Sequence, residues 1–98
     1  MLSTIPVSLE NVSKVNLDKE ILRAAIIAEL DAVNLYEQMA AMTGSEDLKR
    51  VFMDVAKEEK THVGEFQALL LRYDQEQAKE LEEGRREVEE LTESKAVS

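Results

Sequence analysis

One interruption governs what this chain can fold into. Between Asp18 and Tyr73 the only strong helix breaker is Thr43-Gly44-Ser45. Apolar periodicity begins at Ile21, with Asp18 as a candidate N-cap, and continues to about Met42 without Gly or Pro. Gly44 can take the left-handed conformation that ends a helix. Ser45 can cap the next one, with Glu46 and Asp47 well placed in its first turn. The second helix then runs from Glu46 to about Tyr73. A connection this short predicts an antiparallel two-helix hairpin over residues 18–73. With 3 Gly, 1 Pro, few aromatics and 34% charged residues among 98, the fold class is all-α.

The flanks differ from this hairpin. Residues 1–17 mix Ser, Asn, Pro6 and aperiodic apolar residues, and read as an irregular N-terminal arm. Residues 74–93 carry dense charge with few apolar anchors, Ala78, Leu81, Val88 and Leu91. They suit a short acidic C-terminal helix that breaks near Gly84 and docks on a partner. Residues 94–98 read as a tail or linker. The absence of Cys removes disulfides, iron–sulfur clusters and thiol catalysis, and fits a cytoplasmic protein. A net charge of −9 argues against nucleic acid and favours attraction of cations. No basic region followed by an apolar run marks a signal peptide, and no stretch approaches the roughly 20 apolar residues of a membrane span.

The stripes that should form the core contain residues that do not belong there. The second helix aligns Leu48, Val51, Phe52, Val55, Val63, Phe66, Leu69, Leu70 and Tyr73 at helical spacing, but Glu59 and His62 occupy the middle of that face. Three residues apart, they project from one side of the helix. The first helix aligns Leu22, Ala25, Ile26, Ala32, Val33, Tyr36, Met39 and Ala40, again with one misfit, Glu29. A Glu on a buried face without a partner is rare, because desolvating its charge is costly. In a tight hairpin centred on Gly44, residues at one height have numbers adding to about 88. Glu29 and Glu59 therefore meet, with His62 expected one turn further along, opposite Ile26.

Glu29 with Glu59-x-x-His62 is half of a known constellation. Di-iron carboxylate sites in four-helix bundles take one Glu from each of two helices and Glu-x-x-His from each of the other two. Two copies related by a two-fold axis would complete the set and bury the apolar stripes as one bundle. Carboxylates can bridge two cations, and one imidazole per metal makes a mixed site suited to iron or manganese. Such a pair, open to oxygen, can deliver two electrons. Divalent metal is then expected to promote assembly. Two further readings stay open: a zinc-stapled structural or adaptor dimer without catalysis, and a metal-free helical module in which the Glu–His pair sets specificity. Tyr36, two turns from Glu29, is a group supporting the ligands or a core aromatic. Glu58 and Glu65 border the site, and Met39 and Met42 read as packing. Ile27, Leu30 and Leu35 widen the apolar surface beyond what a simple dimer covers, which favours further assembly.

Glu29-Leu30-Asp31-Ala32-Val33-Asn34-Leu35-Tyr36 followed by Glu58-Glu59-Lys60-Thr61-His62 resembles the encapsulated ferritin-like proteins, the iron-oxidising cargo of encapsulin nanocompartments. The resemblance covers roughly residues 18–82. It implies a ferroxidase site formed between two subunits by Glu29, Glu59 and His62, holding iron as a di-iron centre. It also implies a ring of dimers, commonly a decamer, that works inside an encapsulin shell, where the mineral is stored. Asp31 matches a position where members carry an acidic residue on the path of incoming metal; the neighbouring acidic position of that path is Ala28 here. Leu35 stands where an aromatic residue can occur. No apolar shell-docking peptide is visible in residues 92–98, and some archaeal members are instead fused to the shell protein.

Overall fold

The computed structural model describes residues 14–92. Three helices, α1 (Lys14–Met42), α2 (Glu46–Tyr73) and α3 (Gln75–Thr92), account for nearly all of them, and no strand occurs among the described residues. α1 begins one turn before the expected start at Asp18. Residues 14–17 contain no Gly or Pro, and extending an existing helix gains one hydrogen bond per residue fixed. The remainder of the expected arm, residues 1–13, and the expected tail lie outside the described residues.

The break between α1 and α2 is closed by hydroxyl groups and not by a left-handed glycine. The Thr43 amide donates to the Met39 carbonyl at 3.1 Å, which ends α1. Thr43 Oγ1 accepts from the Ser45 amide at 3.1 Å, and Ser45 Oγ accepts from the Leu48 amide at 3.3 Å. Ser45 is extended, with φ −93° and ψ 123°, as an N-cap should be, and is worth about 1 kcal/mol to the helix it starts. Gly44 does not take the left-handed conformation expected of it.

α2 runs back beside α1. The Tyr36 ring stacks on that of Phe52, with centroids 6.1 Å apart, and their numbers also add to 88. The buried apolar residues are few: Leu22, Val33 and Ala40 from α1, Ala56 and Leu70 from α2. Ala40 and Ala56 are the most deeply buried of these, and small side chains suit a line of close helix approach. Leu48, Val51, Leu69, Tyr73, Ile27, Leu30 and Met39 are exposed although they belong to or flank the apolar stripes. A single copy thus leaves much of its apolar face in water, which a stable monomer rarely tolerates.

α3 leaves this pair at a corner made by one residue. No Cα of α3 comes within 8 Å of α1. A continuous helix from residue 46 to 92 would be about 70 Å long at 1.5 Å per residue. The described chain measures 46 × 43 × 19 Å, a flat shape with two long dimensions, so α3 projects sideways. α3 is continuous through Gly84, contrary to the expected break. A helical glycine costs about 1 kcal/mol relative to Ala. Pairs of Arg85 with Glu82 and Glu89, and of Arg86 with Glu83, flank Gly84 and offset part of that cost.

Candidate metal centre

Helix spacing puts Glu59 and His62 on one side of α2, and the register set by the turn puts Glu29 of α1 against them. His62 Nδ1 lies 3.4 Å from Glu29 Oε2 and 3.4 Å from Glu59 Oε2. One ligand atom from each of the three residues falls within 4.8 Å of the others. The imidazole of His62 therefore reaches the Glu29 carboxylate, although its position in sequence is one turn beyond Glu59. The reason is that helical side chains lean toward their own N-terminus, which on α2 carries the imidazole back toward Glu59 and Glu29.

The Glu29 and Glu59 side chains are mostly covered, at 20% and 18% exposure, whereas that of His62 is 41% exposed. The cluster thus has a closed side within the chain and an open one. Separations of 3.4 Å are long beside the roughly 2.9 Å of a good hydrogen bond, so the three groups are gathered with only weak bonding among themselves. A first-row divalent ion holds N and O donors at about 2.0–2.2 Å, so two donors on one ion sit at most about 4.4 Å apart. A small contraction suffices for this donor set to hold such an ion. Two carboxylates and an imidazole from one chain leave further coordination positions to be filled from outside it.

The remaining residues of interest sort themselves by position. Tyr36 is half-buried, and its ring packs on Phe52. Asp31 lies outside the three-residue group. Glu58 and Glu65 are exposed on α2. Lys60 Nζ reaches Glu37 Oε2 at 3.2 Å, an ion pair that ties α1 to α2 close in sequence to the site and that the stripes did not signal.

A second buried carboxylate was missed altogether. Asp74 is 8% exposed and is the one buried charged residue among those described. Its Oδ2 accepts from Arg23 Nη2 at 2.7 Å, and its Oδ1 accepts from the Gln77 amide at 3.0 Å. The amide of Gln77, then the guanidinium of Arg23 and the charge of Lys19, hold its carboxyl below the ordinary value of 3.8 against the opposing effect of burial. The available signal was an Asp, a favoured cap residue, between two helical runs that lack Gly and Pro.

Comparison with known proteins agrees with this architecture. The rubrerythrin family pattern matches residues 20–97. A ferritin-like–encapsulin shell fusion protein of Pyrococcus furiosus is 63% identical over 73 residues, covering 74% of this chain and 21% of that protein. An encapsulin nanocompartment cargo protein of Myxococcus xanthus is 44% identical over 57 residues, 58% of this chain and 44% of the relative. The chain therefore spans less than half the length of either of these relatives. The crystal structure of the encapsulated ferritin domain from Pyrococcus furiosus superposes with a TM-score of 0.83 at 51% identity, over 98% of this chain and 100% of the other. The resemblance to encapsulated ferritin-like proteins is thereby borne out. A packed pair of helices with a third turned aside, and a family match over residues 20–97, lead to one assignment: the chain belongs to the rubrerythrin family of ferritin-like domains.

Proposed function

We propose that this chain is half of a ferroxidase, and that two copies pair across a two-fold axis to complete a ferritin-like four-helix bundle with a site for two ferrous ions. The observation that carries this reading is the convergence of Glu29, Glu59 and His62 on an open side of the α1–α2 pair. A second copy placed there supplies the same three residues again, giving four carboxylates and two imidazoles. The exposed apolar residues of the two helices give the pairing its driving force, at roughly 25 cal/mol per Å² buried.

In this reading Glu29 and Glu59 bind the ions and neutralise their charge, and His62 donates through Nδ1, the ring atom turned toward the carboxylates. Two ferrous ions held side by side give up one electron each to oxygen. The net charge of −9 favours the approach of the cations, and Asp31, which the two-residue spacing turns to the other side of α1 from Glu29, would serve only an outer entry path, its plain alternative being a solvated charge. Tyr36 supports the site from the Phe52 side. The named relatives are shell-fused or shell cargo proteins. The proposal accordingly puts this domain inside an encapsulin nanocompartment in the cytoplasm, as a ring of dimers such as a decamer, with the ferric product stored in the shell. No helix among the described residues is long and apolar enough to cross a membrane.

The test is oxygen consumption on adding ferrous iron to the metal-free protein, followed with the absorbance of the ferric product. Oxygen uptake with iron turnover is expected. Tight zinc binding that holds dimers together without oxygen uptake would favour a metal-stapled adaptor instead.

A further inference from the structure

α2 and α3 are separated by a single non-helical residue, Asp74, with φ −135° and ψ 85°. The flanking sequence, Leu71-Arg72-Tyr73 and Gln75-Glu76-Gln77, contains neither Gly nor Pro. Nothing in local propensity therefore stops α2 from running straight into α3. What stops it is the set of bonds that Asp74 makes. Its amide closes the last turn of α2 on the Leu70 carbonyl at 2.9 Å. Its carbonyl accepts from the Ala78 amide at 3.3 Å, and its Oδ1 caps the Gln77 amide, so the same residue opens α3. Its second carboxylate oxygen is held by Arg23 of α1, 51 residues away.

We propose that Asp74 and Arg23 form a latch that keeps α3 turned sideways, and that without it α2 and α3 join into one straight helix. The two ends of the choice are of comparable merit. Bent, the chain gains the Arg23 pair, the cap, and a shallow apolar pocket where Leu81 meets Ile26, Ile27 and Leu70. Straight, it gains the regular hydrogen bonds of an unbroken helix and loses those contacts. The carboxylate decides through Arg23: in a helix interior the Gln77 amide would turn to the Tyr73 carbonyl, but Arg23 would lose its carboxylate. The bent state has a consequence for the rest of the molecule. It holds the exposed outer part of α3, Val88 and Leu91, away from its own α1–α2 pair, in a position where another molecule can reach it.

The chain contains no Cys, so paired labels can be introduced without background. Asp54 on α2 and Glu90 on α3 are exposed, and each replaced by Cys carries a spin label. The distance between them is read by pulsed dipolar spectroscopy, with labelled chain diluted in unlabelled chain to suppress intermolecular signals. A straight helix separates 36 residues by about 54 Å. A corner at Asp74 gives a clearly shorter distance. Asp74→Ala should shift the distribution to the long value with undiminished helicity. Arg23→Met, which leaves the α2–α3 junction sequence intact, should add a long component. A short distance retained in both variants overturns the proposal. A long distance in Asp74→Ala with none in Arg23→Met overturns the latch and leaves the corner to the cap alone. If Asp74→Ala loses its helicity, Arg23→Met decides by the same criterion.

Discussion

Two places in this small molecule cover carboxylates, and they do so in opposite ways. At the corner, both oxygens of Asp74 are engaged at 3.0 Å or less, one by a guanidinium and one by a backbone amide. In the candidate metal centre, Glu29 and Glu59 are somewhat less covered, yet the only group between them among the described residues is an imidazole at 3.4 Å. A carboxylate matched by cation and amide is a structural fastener. A pair of carboxylates that meet around a half-open imidazole is, in the proposed reading, a receptor for a cation. The contrast, more than the presence of Glu and His, singles out the site.

The sharpest way to break this comparison is to replace the carboxylates. Glu29→Ala, Glu59→Ala and His62→Ala should each lower iron-dependent oxygen uptake by roughly a hundredfold or more, since removing even groups that only support a metal ligand costs 10–100-fold. Persistent uptake in all three variants sinks the ferroxidase reading. The stability of the metal-free protein should respond the other way round. Glu29→Leu and Glu59→Leu remove partly covered carboxylates that meet only the long 3.4 Å contacts to His62 among the described residues, and should leave the melting temperature unchanged or raised. Asp74→Leu strips Arg23 and the Gln77 amide of their acceptor and should lower it. Equal losses from all three would erase the distinction between receptor and fastener.

The next effect concerns assembly. Ligand that binds only the paired state stabilises it by about 2.7 kcal/mol at a hundredfold excess over its dissociation constant. Ferrous or manganous ion should therefore raise the sedimentation coefficient of the metal-free chain, and a chelator should reverse the change. Identical sedimentation with and without metal would place the three ligands on a surface that does not pair. Asp74→Asn should not affect this metal dependence, because it leaves Glu29, Glu59 and His62 untouched.

The sequence exposed the receptor and hid the fastener for a physical reason. Glu29, Glu59 and His62 interrupt apolar stripes, so their cost was visible against neighbours that belong in a core. Asp74 sits where apolar periodicity gives way to charge, and there one more acid looks solvated. Its partner Arg23 is 51 residues away, beyond any local pattern. Helix lengths were legible because Thr43-Gly44-Ser45 punctuates two long unbroken runs. The manner of the break was legible in part: Ser45 caps α2 as expected, but Gly44 does not take the left-handed conformation assigned to it, and the Thr43 hydroxyl accepts from the Ser45 amide. That the imidazole reaches Glu29 follows from the lean of the side chain toward the start of its helix, which residue numbers alone leave out.

Acid should distinguish the two carboxylate sites more gently. The folded-state value of Asp74 lies below 3.8, so its contribution is fully present above the unfolded value and is lost as pH falls through the folded one. Thermal melts of the metal-free protein should show Asp74→Asn less stable than the parent at neutral pH. That gap should narrow only as pH drops below about 4, its ordinary range. No gap at neutral pH would mean that the cap to Gln77, which Asn can also make, carries the effect without the charge pair to Arg23.

The smallest expected effect belongs to Tyr36, and it separates ring from hydroxyl. The ring stacks on Phe52 at 6.1 Å, and such pairs contribute about 0.5–1.5 kcal/mol beyond area burial. Tyr36→Phe keeps the ring and should leave the melting temperature unchanged, whereas Tyr36→Ala should lower it. If the hydroxyl supports the metal centre, Tyr36→Phe slows oxygen uptake by a factor of several while the sedimentation response to metal stays intact. If uptake is also unchanged, Tyr36 is a core aromatic, and the half-site of each chain is complete in Glu29, Glu59 and His62.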